Sequence, residues 1–322
     1  MNTSRATFVA YMLAQMTCSA GAQVYPARPI QVISPVQAGS AGDTSLRILT
    51  SRLSENIGQQ VIVENHPGAA GMIGMDRLIR ATPDGHTIGG VSDSTLTYVP
   101  ILQKRAHFDA LAVLEPISIV ALSTWVLIVH PSLPVRTTQE LVALARKNPG
   151  TIDYASAGKG GSHHVVMEMF KADARVQLTH IPYKGATQAA LDVQAGRVPV
   201  MFSALAPVLP AIQSGKVKAL GVGTEVRSKL LPNVPTISES ALPGFSFSTW
   251  TGLFAPKGTA RNALERLNAE VVKALNDPVI RERYAAVGAT ARPSSPAELA
   301  DLTRRTREKM AKVIRQAGIT GE

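Results

Sequence analysis

Residues 154–170 read YASAGKGGSHHVVMEMF, and the glycines, the lysine and the paired histidines admit three chemistries. A phosphate loop, a catalytic histidine pair and a backbone cradle for an anion all use such residues. A nucleotide-phosphate loop needs four residues between its first glycine and a closing Gly-Lys-Ser/Thr. Here Lys159 is followed by Gly160, so both the spacing and the hydroxyl after lysine are missing. Neighbouring helix positions point in different directions, so His163 and His164 make a poor two-point metal clamp. The chain has no His-Glu-x-x-His segment, and Gly39-Ser40-Ala41-Gly42 misses the Gly-x-Ser-x-Gly nucleophile elbow. Asp76, Asp84 and Asp93 have no spacing that requires them to gather. The cradle reading survives.

A cradle of this kind needs a strand that stops and a helix that starts. Tyr154 to Ala157 reads as the end of a short strand, and Val165 to Phe170 as helical. PVQAGSAGDTS repeats the arrangement near the start of the chain, after the apolar strand PIQVISPV. Its helix is expected to begin near Asp43, whose carboxylate can cap free N–H groups. Gly39 to Gly42 lacks the Gly-x-Gly-x-x-Gly spacing of a dinucleotide fold. Successive N–H groups at such turns converge on an anion, helped by the positive end of the helix. Two such turns in different halves of a chain can face each other across a cleft and hold a carboxylate without arginine.

The remaining segments alternate between strands and helices. QQVIVEN, DGHTIGGV, TIDYASAG, LTHIPYKG, VPVMFSA, VKALGVGT and WTGLFAP read as strands. Helices fit DRLIRATP, TTQELVALARKNPG, ATQAALDVQAG and APVLPAIQSG between them, and three more helical segments finish the chain. Helical crossovers imply an α/β fold with mostly parallel strands.

The first 22 residues are expected to be a secretory leader. Arg5 precedes the uncharged run ATFVAYMLAQM, and Ala20-Gly21-Ala22 offers a small-x-small site with cleavage before Gln23. The run is too short to span a bilayer. Cys18 raises a lipoprotein alternative, but Gln-Met-Thr before it lacks the small apolar residues expected there. Cleavage would remove the only cysteine, and a chain of about 300 residues buries a sufficient core without disulfides. It would also lower the formal charge from +10 to about +9 by removing Arg5. That surplus attracts anions, yet the basic residues are scattered and aromatics are few, which argues against nucleic acid.

HPGAAGMIG, PDGHTIGG, LTHIPYKG, LPNVPTISES and GLFAPKGT, in this order, resemble the signature segments of the Bug family. These are periplasmic solute receptors of tripartite tricarboxylate transporters. The similarity runs from Tyr25 to the C-terminal helix. It implies a two-lobed, type II periplasmic-binding-protein fold of the Venus-flytrap kind with a ligand cleft. Lobe one would hold residues 23–122 and 246–322, and lobe two residues 123–245. The family's first-strand loop corresponds to Gln37, Gly39, Ser40, Ala41, Gly42, Asp43 and Thr44. Its lobe-two loop corresponds to Ser156, Gly158, Lys159, Gly160, Gly161, Ser162 and His163. Both would contact a ligand carboxylate, chiefly through N–H groups, with Thr44, Ser45 and Ser162 as hydroxyl donors.

The first loop departs from the family form. Pro35-Val36-Gln37-Ala38-Gly39-Ser40 stands where a sequence close to Pro-Phe-x-Pro-Gly-Gly is usual. The apolar wall would change shape, and Gln37 would add a neutral donor and acceptor for the far end of a ligand. Ser203 follows VPVMF where many members carry an aspartate that pairs with an amino-acid ammonium. Its neutral hydroxyl favours a non-amino carboxylate, and a dicarboxylate is expected. Ser92, Asp93 and Ser94 form another candidate edge, and Tyr183 with Lys184 belongs to the PYKG turn. The resemblance thus implies a monomeric periplasmic receptor without catalytic residue, metal or cofactor, docking on two integral-membrane subunits. A sensor component and a hydrolase using residues distant in sequence are the alternatives.

Overall fold

A computed structural model describes residues 25–103, 108–316 and 318–320. The expected leader over 1–22, with Cys18, lies outside them. The chain runs β1 (Ile30–Ser34), α1 (Ala41–Ile57), β2 (Val61–Asn65), α2 (Met72–Ile79) and β3 (Thr87–Ser92). Three short helices follow, α3 (Asp93–Thr97), α4 (Val99–Leu102) and α5 (Ala110–Val113), before the long strand β4 (Leu114–Val129). Next come α6 (Thr138–Lys147), β5 (Asp153–Ser156), α7 (Ser162–Ala174), β6 (Thr179–Pro182), α8 (Ala186–Gln194) and β7 (Val200–Ala204). The chain continues with α9 (Leu205–Gln213), β8 (Lys218–Val222), α10 (Ile237–Ser240) and β9 (Ser248–Pro256). It closes with α11 (Arg261–Asn276), α12 (Pro278–Ala286), β10 (Ala289–Ala291) and α13 (Pro296–Gln316).

β4 organises these elements. Its first part, through Thr124, pairs antiparallel with β9, and its last part, from Trp125, pairs antiparallel with β7. The strand order is β2-β1-β3-β9-β4-β7-β5-β6, with β8 and β10 also pairing β4. The β1–β2, β1–β3, β5–β6 and β5–β7 pairings are parallel. Every described ladder that includes β4 or β9 is antiparallel. The expectation of a mostly parallel sheet is therefore corrected to a mixed one. Helical crossovers return the chain within each half of the sheet, whereas β4 and β9 carry it between them. Among the described residues no helix is long and apolar enough to cross a membrane.

Each half has its own apolar packing. Ile30, Val32, Leu46, Leu49, Leu253 and Leu267 are buried together on one side. Val165, Phe170, Val200, Phe202 and Phe245 form a second cluster, which Met310, Ile314 and Ile319 join. Leu299, near the start of α13, packs instead with Ile33, Val91 and Trp250. The C-terminal helix thus begins against one half and ends against the other.

The first candidate loop is set by close packing behind it. Gly74 on α2 lies so near the chain after β1 that an added Cβ would sit 2.8 Å from the His66 carbonyl oxygen and 2.9 Å from Pro35 Cα. Those neighbours are backbone and cannot rotate away. Alanine is the better helix former by about 1 kcal/mol, but overpacking costs about 1–3 kcal/mol. Gly74→Ala should therefore lower stability by up to about 2 kcal/mol, measured as a reduced urea midpoint at unchanged m. A higher midpoint would contradict this packing.

Candidate functional site

β1 and β5 both end at the middle of the molecule, and α1 and α7 start there. Ser40 caps α1, its Oγ accepting from the Asp43 N–H at 3.4 Å. A helix leaves its first N–H groups without partners inside the helix. Asp43 does accept a free backbone N–H, but it lies off the cavity wall. Its buried carboxylate accepts from Gly39 N–H at 2.9 Å, Arg47 Nε at 3.0 Å and Asn65 Nδ2 at 2.8 Å. Burial raises its pKa, but the hydrogen bonds from Arg47, Asn65 and Gly39 outweigh that and hold it below the usual carboxylate range. Asn65 also donates to the Val36 carbonyl at 3.0 Å, so the loop is pinned from behind.

The second loop is pinned in a similar way. Gly158 N–H donates to Ser156 Oγ at 3.1 Å, and that oxygen lies 2.6 Å from His180 Nε2. Gly160 N–H donates to His164 Nδ1 at 3.1 Å. Gly160 has φ of +76°, a conformation that favours glycine. Ser156 and the Gly160 N–H are therefore spent on the loop's own shape. Gly161, Ser162 and His163 remain half-buried on the cavity wall, with Ser162 at the first position of α7. Tyr98 OH donates to Ser162 Oγ at 2.9 Å, joining the two halves beside the helix start.

Between the halves lies a cavity of about 140 Å³. Of the residues singled out in the sequence, Gln37, Ser40, Ala41, Gly42, Ser92, Ser94, Gly161, Ser162 and His163 line it. Gly158, Lys159 and Tyr183 instead border a wider adjoining opening of about 640 Å³, as does Lys184, which also reaches the inner cavity. Gly39, Asp43, Thr44, Asp93, Ser156, Gly160 and Ser203 are off the cavity wall. Ser203 is fully buried in β7 and its hydroxyl donates to the Ala204 carbonyl at 3.0 Å, so it is a core residue. Asp93 is buried at the start of α3, where it accepts the N–H groups of Ser94 and Trp250. Burial nevertheless pushes its carboxyl up to about 8. Tyr183 OH is bonded to Asp192 at 2.8 Å.

The rest of the wall escaped sequence reasoning. Trp125 and Trp250 both line the cavity, and Trp125 Nε1 donates to Thr249 Oγ1 at 2.8 Å. Both tryptophans come from a repeated Ser-Thr-Trp, residues 123–125 on β4 and 248–250 on β9. The antiparallel register sets Ser123 opposite Thr249, and both reach the wall. That repeat was the available signal. No aspartate or glutamate among the described residues lines the cavity, and its one cationic side chain is the exposed Lys184. The wall is therefore chiefly apolar surface, neutral hydroxyls, the Gln37 amide and the N-termini of two helices, with Lys184 at its edge. Among the described residues no cluster of histidine, cysteine or carboxylate side chains is arranged to hold a metal ion.

The histidines beside the second loop are neutral near pH 7. The His163 ring meets Trp125 edge-on at 4.8 Å, and burial lowers its pKa to about 4. His180 stacks between Tyr154 and His164 at 4.9 Å and 4.3 Å. Burial, then His164, Lys171 and Lys159, lower its pKa to about 4 against the opposing Glu168. An unfolded histidine titrates near 6.5, so below that pH the unfolded chain binds more protons than the folded one. These rings stabilise the fold fully above pH ~6.5, and that contribution is lost as pH falls toward 4.

This arrangement is that of a two-lobed periplasmic binding protein, and comparison with known proteins agrees. The model of the tripartite tricarboxylate transporter family receptors matches residues 45–319. The chain belongs to that family. It is 39% identical over 306 residues, covering 94% of this chain and 91% of the relative, to the UPF0065 protein in the tcbD-tcbE intergenic region of Pseudomonas sp. strain P51. The solved periplasmic binding protein BugD is similar at 32% identity and a TM-score of 0.87, covering 92% of this chain and all of that one. R. palustris Rpa4515 with adipate aligns at 27% identity and a TM-score of 0.89, covering 92% of this chain and 99% of that one.

The histidine environment yields a pH test. Urea midpoints should fall between pH 6.5 and 4, and His180→Gln should make that fall shallower even where it lowers stability overall. An unchanged pH slope in the variant would contradict the neutral, buried state of this ring.

Proposed function

We propose that the protein is an extracytoplasmic solute receptor that captures a small organic carboxylate, with a dicarboxylate preferred. The observation that carries this reading is the meeting of two helix N-termini on one cavity wall that has no acidic side chain among the described residues. Ala41 and Gly42 lie at the start of α1, and Ser162 and His163 at the start of α7. Their first-turn N–H groups and helix dipoles favour an anion. An amino-acid ammonium would find no carboxylate partner on that wall. The argument for a non-amino ligand thus moves from Ser203 to the wall as a whole. The adipate in Rpa4515 supports the dicarboxylate reading.

Lobe one comprises residues 23–122 and 246–322 and lobe two residues 123–245. The change of pairing along β4 between Thr124 and Trp125 supports this division, as does the start of β9 at Ser248. The end of α13 then reaches across to lobe two. The leader delivers the chain to the periplasm, where it acts as a monomer. Ligand binds between open lobes, closure excludes water, and the closed form docks on two membrane subunits. The ligand leaves chemically unchanged, with no metal, cofactor or catalytic residue involved. Family membership supports the receptor role.

Calorimetry on the protein from Gln23 onward should detect a linear dicarboxylate, recovered intact after denaturation. Ala41→Pro isolates the cradle. Proline is accommodated at the first helical position while its N–H disappears, and Ser40 already has the extended backbone that suits a following proline. A lost hydrogen bond to a charged group should weaken binding about tenfold to a hundredfold with little loss of thermal stability. Undiminished affinity in this variant would remove the α1 N-terminus from the site.

A further inference from the structure

Gln37 stands at the boundary between the inner cavity and the wider opening, lining both. Its side chain crosses the cleft and lies against Gly185, just before α8. A Cβ at Gly185 would fall 1.9 Å from Gln37 Cδ, 2.0 Å from Oε1 and 2.4 Å from Nε2. Gly185 has φ −178° and ψ 166°, extended backbone that any residue adopts. Space for Gln37, not backbone conformation, is what requires glycine here. A second contact crosses beside it, Thr187 Oγ1 donating to the Ala38 carbonyl at 3.2 Å.

The amide is only half accommodated by the protein. Its Oε1 is buried without a hydrogen-bond partner. Such an oxygen loses its water without compensation when the lobes are together. Its NH2 is the end left for a ligand, and an NH2 selects an oxygen acceptor. A hydrocarbon tail in that place would leave the donor unpaired as well.

We infer that Gln37, seated on Gly185, is a specificity-determining residue that selects ligands with a second oxygen acceptor beyond the carboxylate held by the helix N-termini. This rests on the proposed carboxylate site and adds the chemistry of the ligand's other end. A distal carboxylate, amide or carbonyl oxygen satisfies the NH2, while an aliphatic monocarboxylate does not. Discrimination comes from a hydrogen bond that the monoacid leaves unmet. Lys159 and Lys184 border the same opening and would attract a distal charge. A neutral acceptor separates their effect from that of Gln37.

The test is calorimetry with the best-binding linear diacid from a length series, its monoamide, and the monoacid of equal length. The native protein should bind the diacid and the monoamide at least about tenfold more tightly than the monoacid. Gln37→Leu should remove about tenfold from the first two while leaving the monoacid unchanged, with thermal melting confirming the fold. Gly185→Ala should weaken diacid binding in the native background and have little effect beside Gln37→Ala, since the collision is then gone. If diacids bind but Gln37→Leu leaves their advantage over the monoacid intact, the inference is overturned and the carboxylate site stands. If no carboxylate of the series binds, the carboxylate site falls and this inference with it.

Discussion

A helix cannot satisfy the N–H groups of its own first turn, and this protein starts two helices on the wall of one cavity. Several other polar groups in the two loops are already engaged. Asp43 holds Gly39, Arg47 and Asn65. Ser156 holds Gly158, and His164 accepts from Gly160. The result is a pair of turns braced by their own hydrogen bonds, with both helix starts on one cavity wall. Bracing matters because donors fixed in advance require little reordering when a ligand arrives. It also explains how an anion site can exist with a single, peripheral lysine on its wall among the described residues.

The two turns belong to different halves of the sheet, so their alignment depends on β4 and β9. These antiparallel strands carry the chain between the halves and bring Ser123, Trp125, Thr249 and Trp250 onto the cavity wall. Contacts then cross beside the ligand space. Tyr98 reaches Ser162, and Thr187 reaches the Ala38 carbonyl. Leu102 packs near Gly160, where an added Cβ would meet its side chain at 3.4 Å. Each of these three contacts touches a residue in, or next to, one of the two loops. In the proposed receptor cycle, closure and ligand recognition would act on these same residues, which would couple affinity to lobe position.

Much of the fold was legible because period and punctuation agree. Short apolar strands end in glycine-rich turns, and the helices after β1 and β5 begin within a few residues of their expected starts. The loops themselves were found for the same reason. Side-chain direction was not legible. Asp43 reads as a cap and a ligand-loop residue, yet Arg47 and Asn65 draw its carboxylate inward from a helix turn and a neighbouring strand. Ser203 occupies the family's expected ligand position, yet its side chain is in the core. Asp93 is one residue from two wall serines and is itself enclosed. The strand β4 went unread because its nearly continuous burial erases the two-residue alternation that marks a half-exposed strand. The wall residues Ser123 and Trp125 were hidden with it.

The most direct measurement of this account is a crystal structure of the protein from Gln23 onward with its ligand bound. A carboxylate group should lie between α1 and α7, with its oxygens in hydrogen-bond reach of first-turn N–H groups from both helices, directly or through one ordered water. A ligand carboxylate anchored instead on Lys184 or Lys159 in the outer opening, with both helix starts facing only solvent, would contradict it.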